Sequence, residues 1–71
     1  MILKSQIILY LYDLLINGNE IYMDEVIAKY NISVRTFRRY ISELNAFLYN
    51  NYKNKEVIYS FEKRSYSLTD F

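Results

Sequence analysis

Three of the chain's four arginines, Arg35, Arg38 and Arg39, stand within the stretch ISVRTFRRYISELN, residues 32–45. An arginine fork matches the two acceptors on the major-groove edge of guanine, and it also pairs with phosphate. On a helix, at about 100° per residue, Arg35, Arg38, Arg39 and Ser42 share an arc of roughly 100°. Val34, Phe37, Ile41, Leu44 and Leu48 occupy a separate arc of roughly 80°. The second set reads as a core stripe and the first as an exposed basic face. Ser33 and Thr36 flank the start of this helix, where hydroxyls, free backbone N–H groups and the helix dipole suit a phosphate. Ser33 suits the N-cap equally well. Lys63 and Arg64 make a second basic point further on, and Lys53 and Lys55 offer nonspecific attraction to phosphate.

A plainer reading of these charges stays open. Arg39 and Glu43 are four apart and could pair along the helix, in the less favourable order. Arg35 and Arg39 repel at the same spacing, and such terms amount to only about 0.2–0.5 kcal/mol. An exposed hairpin tip is often charged for solubility alone. Tyr40 reads as core edge rather than as a contact.

Other chemistries are poorly supplied. The chain has no cysteine and no histidine. That removes disulfides, thiolate nucleophiles, imidazole acid–base work and zinc sites with nitrogen or sulfur ligands. Five glutamates and three aspartates are scattered over expected caps and loops. No pair of carboxylates shares a face, and the single glycine cannot build a phosphate-cradling loop. The expectation is a protein that is not an enzyme, with no metal, no cofactor and no evident small-molecule ligand.

The elements that position the arginines follow from spacing and from the breaks. Seventy-one residues, 52% hydrophobic with nine tyrosines, predict one small folded domain with a marginal core. Leu3, Ile7, Leu11, Leu14 and Leu15 predict helix 1 over about 3–17, with Gly18 as a left-handed C-terminal residue. Ile8, Leu9, Tyr10, Tyr12 and Ile16 make it apolar nearly all round. Such a helix is normally buried on more than one side. Self-association explains this, and so does snorkelling of tyrosines at the surface. NEIY, residues 19–22, reads as a short extended link. Helix 2 is expected over about 24–31, with Asp24 favourable in the first turn by capping or by the dipole, and with Asn31 tolerating positive φ at the end. The gap before Ser33 is so short that helices 2 and 3 must cross steeply.

Helix 3 is expected over about 34–50, followed by a polar loop over 50–55. VIYSFE, 57–62, alternates Val57, Tyr59 and Phe61 against Ser60 and Glu62, and SYSLTD, 65–70, alternates Tyr66 and Leu68 against Ser67 and Thr69. These predict a hairpin over about 57–70 with Lys63 and Arg64 at its tip. The tip lacks glycine and asparagine, which favours a type I-based loop over a type I′ turn. The opening MILKSQIILYLYDLLI is interrupted by Asp13 and lacks a small-residue cleavage site, so it reads as helix 1 and not as a signal peptide. It is too short and polar to span a bilayer. A cytoplasmic, nucleoid-associated protein is expected.

Net charge is only +1, with nine basic and eight acidic residues. Its distribution is uneven. Residues 1–28 set Lys4 against Asp13, Glu20, Asp24 and Glu25, whereas residues 29–64 hold eight cations against Glu43, Glu56 and Glu62. A near-neutral chain can therefore carry one positive face.

In VIAKYNISVRTFRRYISELNAFL, 26–48, followed by VIYSFEKRSYSL, 57–68, the chain resembles the winged helix-turn-helix DNA-binding domain. It looks most like the DeoR-type and the Mga- and PTS-regulator-type domains of bacterial transcription factors. Their second helix reads roughly "eLAe.l.vS", matched by Val26–Ser33. Their third reads roughly "SxRTIrRDIxxLN", matched by Ser33–Asn45, and the wing commonly ends "GYxL", matched by Ser65, Tyr66, Ser67 and Leu68. Tyr40 stands where the family often has Asp, Ser65 replaces the wing glycine and Asn31 the glycine between helices. The resemblance implies a mainly helical α+β fold of three helices and a β-hairpin wing. It implies sequence-specific binding of double-stranded DNA by a small regulator, or by the DNA-binding domain of a larger one. A recognition helix enters the major groove with its N-terminal half. Ser33, Arg35, Thr36, Arg38, Arg39 and Ser42 are then the helix contacts, with Lys63 and Arg64 on backbone or a narrow minor groove. A homodimer is expected, through Ile8, Leu9, Tyr12 and Ile16 of helix 1, with half-sites about one helical turn apart. The competing reading is a winged-helix module that binds protein, which the apolar helix 1 and the low net charge favour.

Overall fold

The ends of each helix in the computed structural model, which describes residues 3–52 and 54–70, are set by identifiable local chemistry. Helix α1 spans Lys4–Ile16. At its start the Leu3 N–H donates to Gln6 Oε1 at 3.2 Å, satisfying a donor that the helix leaves free. At its end Gly18 takes φ 82°, the Gly18 N–H reaches the Leu15 carbonyl at 3.1 Å and the Asn19 N–H reaches Leu14 at 2.9 Å. That is a Schellman closure around the residue without a Cβ. Helix α2 spans Met23–Tyr30 and ends on Asn31 in the left-handed region, φ 52° and ψ 49°. Helix α3 spans Val34–Tyr52. Strand β1, Lys55–Ser60, pairs antiparallel with strand β2, Ser65–Asp70, from Lys55↔Asp70 to Ser60↔Ser65. The order of three helices and a C-terminal hairpin is the winged helix-turn-helix expected from the sequence.

Several boundaries differ from expectation. Helix α2 starts a residue earlier, with Tyr22 in the N-cap position and no side-chain cap, so Asp24 and Glu25 act in the first turn through the dipole alone. Helix α3 runs two residues past its expected end, and β1 begins two residues before the expected strand. Lys53 lies outside the described residues. The hairpin turn is four residues long, Phe61 to Arg64, and not a two-residue tip. Phe61 is therefore removed from the strand alternation and is 86% exposed. Arg64 closes the turn at φ 55°.

The core is a single cluster from every element. Ile7, Leu11 and Leu15 of α1 meet Val26 of α2, the Phe37, Ile41, Leu44 and Leu48 stripe of α3, and Val57 of β1. Phe37 and Leu11 are fully buried. Burying each such side chain is worth about 1.5–3 kcal/mol. One member of the expected stripe departs, and Tyr40, read as core edge, joins the core. Val34, in the first turn of α3, is 36% exposed, whereas Tyr40 is buried at 7%. The link Asn19–Tyr22 does more than extend. Ile21 is buried and exchanges two 2.8 Å backbone hydrogen bonds with Tyr66. It lies as a one-residue strand against the free side of β2 and so ties the α1–α2 connection to the wing.

Candidate nucleic-acid interface

The helix-turn-helix joint is built by two residues on either side of Ile32. Asn31 supplies the left-handed bend, and the Ile32 N–H reaches back to the Ile27 carbonyl at 3.2 Å. Ser33 then caps α3, its Oγ accepting from the Thr36 N–H at 3.0 Å and donating to Thr36 Oγ1 at 3.0 Å. The cap fixes where the first turn begins, and so which residues lie outward. Phe37, Tyr40, Ile41, Leu44 and Leu48 are buried; Arg35, Arg38, Arg39 and Ser42 are exposed. All four expected contact positions of the basic face are thus on one solvent-facing side of the N-terminal half of α3.

The arginines are not absorbed by ion pairs. The described residues contain three ion pairs, Lys4–Glu43 at 3.1 Å, Lys55–Asp70 at 2.8 Å and Lys63–Glu20 at 3.7 Å. The helical pairing of Arg39 with Glu43 does not form, because Glu43 turns to Lys4 of α1. Lys55, expected to attract phosphate, lies directly across the hairpin from Asp70 and pairs with it.

The wing is joined to α3 by side chains that sequence reasoning passed over. The Asn45 Oδ1 accepts from the Val57 N–H at 3.0 Å, spanning helix and strand. Phe37 meets Tyr66 edge-on at 5.4 Å, and Tyr66 meets Tyr59 at 4.9 Å. The two wing cations sit differently from expectation. Lys63 leans toward Glu20, and Arg64 lies beside Tyr59 in a cleft with Tyr22, Met23, Asp24 and Glu25. They face acids of the α1–α2 link and of the first turn of α2, Glu20 for Lys63 and Asp24 and Glu25 for Arg64, which mutes the wing's positive charge. Ser65, which stands in place of the wing glycine, is fully buried and donates to Glu20 Oε1 at 3.0 Å. Glu20 also accepts from the Tyr22 hydroxyl at 3.1 Å. These bonds, Ser65 first, then Tyr22 and the Lys63 charge, hold the Glu20 carboxyl below its usual value.

On the opposite side, Ile8, Leu9 and Tyr12 of α1 and Leu44 and Phe47 of α3 line an apolar groove of about 240 Å³, with Glu43 at its edge. Tyr12 is held there by Phe47, edge-on at 5.8 Å, and by a 3.1 Å hydroxyl contact to Tyr52. Tyr10 lies under the Lys29 ammonium at 4.3 Å. Part of the apolar girth of α1 is therefore used inside the molecule, with tyrosine hydroxyls outward, while Leu9 and Ile16 remain exposed.

A helix pair joined by a tight turn, an arginine-faced third helix and an antiparallel hairpin define a winged helix-turn-helix of the DNA-binding regulator type. The chain belongs to the M protein trans-acting positive regulator (MGA) helix-turn-helix domain family, whose model it matches over residues 4–53. The match runs from α1 to the end of α3 and stops short of the hairpin. Of the families the sequence resembles, it supports the Mga type. No curated protein and no solved structure matches the chain. No helix among the described residues is long and apolar enough to cross a membrane.

Proposed function

We propose that the chain binds double-stranded DNA sequence-specifically, as a transcriptional regulator or the DNA-binding domain of one. The observation that carries this is the face of α3. Arg35, Arg38 and Arg39 are exposed together in the half of the helix that enters a major groove, and no described carboxylate pairs with any of them. An unpaired guanidinium on a shared face is available for guanine edges or phosphate. Ser42 extends the same face by one turn. At the helix start the Ser33 and Thr36 hydroxyls, 3.0 Å apart, stand beside the free N–H groups where a phosphate is held, and Ser33 also caps the turn. Lys63 and Arg64 approach the backbone or minor groove from the wing, within the limits set by the nearby acids. A homodimer through the exposed Leu9 and Ile16, with Ile8 and Tyr12 beside them, would place two recognition helices on half-sites about one turn apart.

The test is binding to a randomised duplex pool by fluorescence anisotropy at low and physiological salt. Binding that survives physiological salt and enriches a repeated half-site is the expected result. A protein-binding winged helix, the reading favoured by the α1–α3 groove, instead shows no binding even at low salt.

A further inference from the structure

The Glu20 carboxylate touches the wing at two places. Its Oε1 accepts from Ser65, the first residue of β2, at 3.0 Å and lies 3.7 Å from the Lys63 ammonium in the turn. Its Oε2 accepts from Tyr22 at 3.1 Å. Ser65 is fully buried, whereas the Lys63 side chain is 67% exposed. One oxygen thus serves an interior anchor and an outward cation together. Directly beside it, Ile21 and Tyr66 exchange their pair of backbone bonds. The link and the wing are therefore held by a backbone bridge and a carboxylate clamp at adjacent positions.

We propose that Glu20 is a positioning residue for the wing, docking its turn end through Ser65 and holding Lys63 back from phosphate. This rests on the DNA-binding reading above. The clamp works in two opposed ways. The bond to Ser65 keeps β2 against the link, which fixes where the turn stands relative to α3. The negative charge beside Lys63 competes with a phosphate for the same ammonium, so contact between wing and backbone needs Lys63 to exchange partners. Nonspecific affinity is thereby lowered, and discrimination is left to the α3 arginines. A glutamine at this position keeps the Ser65 acceptor and loses the charge; an alanine loses both.

The test uses Glu20→Gln, Glu20→Ala and Glu20→Gln combined with Lys63→Ala, each read by amide hydrogen exchange and by anisotropy on a random-sequence duplex pool. Expected for Glu20→Gln are unchanged exchange at Ile21 and Tyr66, a gain of roughly two- to five-fold in pool affinity at low salt, and a salt slope steeper by about one. The gain is expected to vanish when Lys63 is alanine. For Glu20→Ala, faster exchange at Ile21 and Tyr66 is expected, with Leu44 unaffected. Wild-type exchange at Ile21 and Tyr66 in Glu20→Ala overturns the docking role. Unchanged affinity in Glu20→Gln, or a gain that persists without Lys63, overturns the holding-back. A wild-type chain that binds no pool at low salt refutes the DNA reading and the holding-back with it, while the exchange result still decides the docking.

Discussion

Ser33 and Glu20 show how a single side chain can serve fold and site at once. Ser33 is read from the sequence both as an N-cap and as a phosphate contact, and its hydroxyl does cap α3. Ser33→Ala is expected to cost about 1 kcal/mol, seen as a lower melting temperature, while DNA affinity of the folded fraction changes little. A large affinity loss with an unchanged melting temperature would assign the hydroxyl to DNA. Glu20 has a carboxyl lowered by Ser65, Tyr22 and Lys63. A carboxylate whose folded value is depressed contributes stability above its unfolded value of about 4.3, and that contribution is lost as pH falls through the lower folded value. Melting temperature is thus expected to fall below about pH 4.3 more steeply in the wild type than in Glu20→Gln, as thermal scans at pH 6 down to pH 3 would show. The arginine face was legible because residue type, spacing and helix period coincide. The Glu20 clamp was not, since it joins residues 45 positions apart and no local pattern marks either.

At the scale of elements, the turns were more legible than the strands. Gly18 and Asn31 take the left-handed conformations that their residue types announce. The stripe of α3 also held apart from Val34, and Tyr40 is buried beside it as its core-edge reading expects. Val34 sits in the first turn, before the helix has reached the core, and periodicity cannot say where along a helix burial begins. The hairpin was harder. Alternation placed Phe61 inside a strand, but Arg64 adopts φ 55° and the chain turns over four residues. Without glycine or asparagine at the tip, no residue type marked the position. The bridge of Ile21 to Tyr66 was invisible too, because a single pairing residue has no period. Asn45 joins α3 to the wing through the Val57 N–H. Asn45→Ala leaves that donor unpaired and is expected to cost about 1–3 kcal/mol. Chemical denaturation measures the loss, and an unchanged midpoint would show that water replaces the bond.

At the scale of the whole molecule, a net charge of +1 conceals a division of labour. The acidic residues Glu20, Asp24 and Glu25 lie beside the wing cations, and Asp70 and Glu43 neutralise Lys55 and Lys4. Among the described residues the α3 arginines have no carboxylate partner, and Lys29, which has none either, lies over the Tyr10 ring. The wing is held by a backbone bridge, an asparagine, an aromatic contact and the Glu20 carboxylate.

The most direct measurement is the salt dependence of duplex binding by the wild type and by Arg35→Ala, Arg38→Ala, with the melting temperature of both recorded. Each bidentate contact to a base is worth about 1–3 kcal/mol. The double variant is expected to keep the wild-type melting temperature, to lose about 30-fold or more in affinity, and to show a shallower salt slope. Full retention of sequence-specific binding by that variant would contradict the account, because the arginine face would then not be where DNA is read.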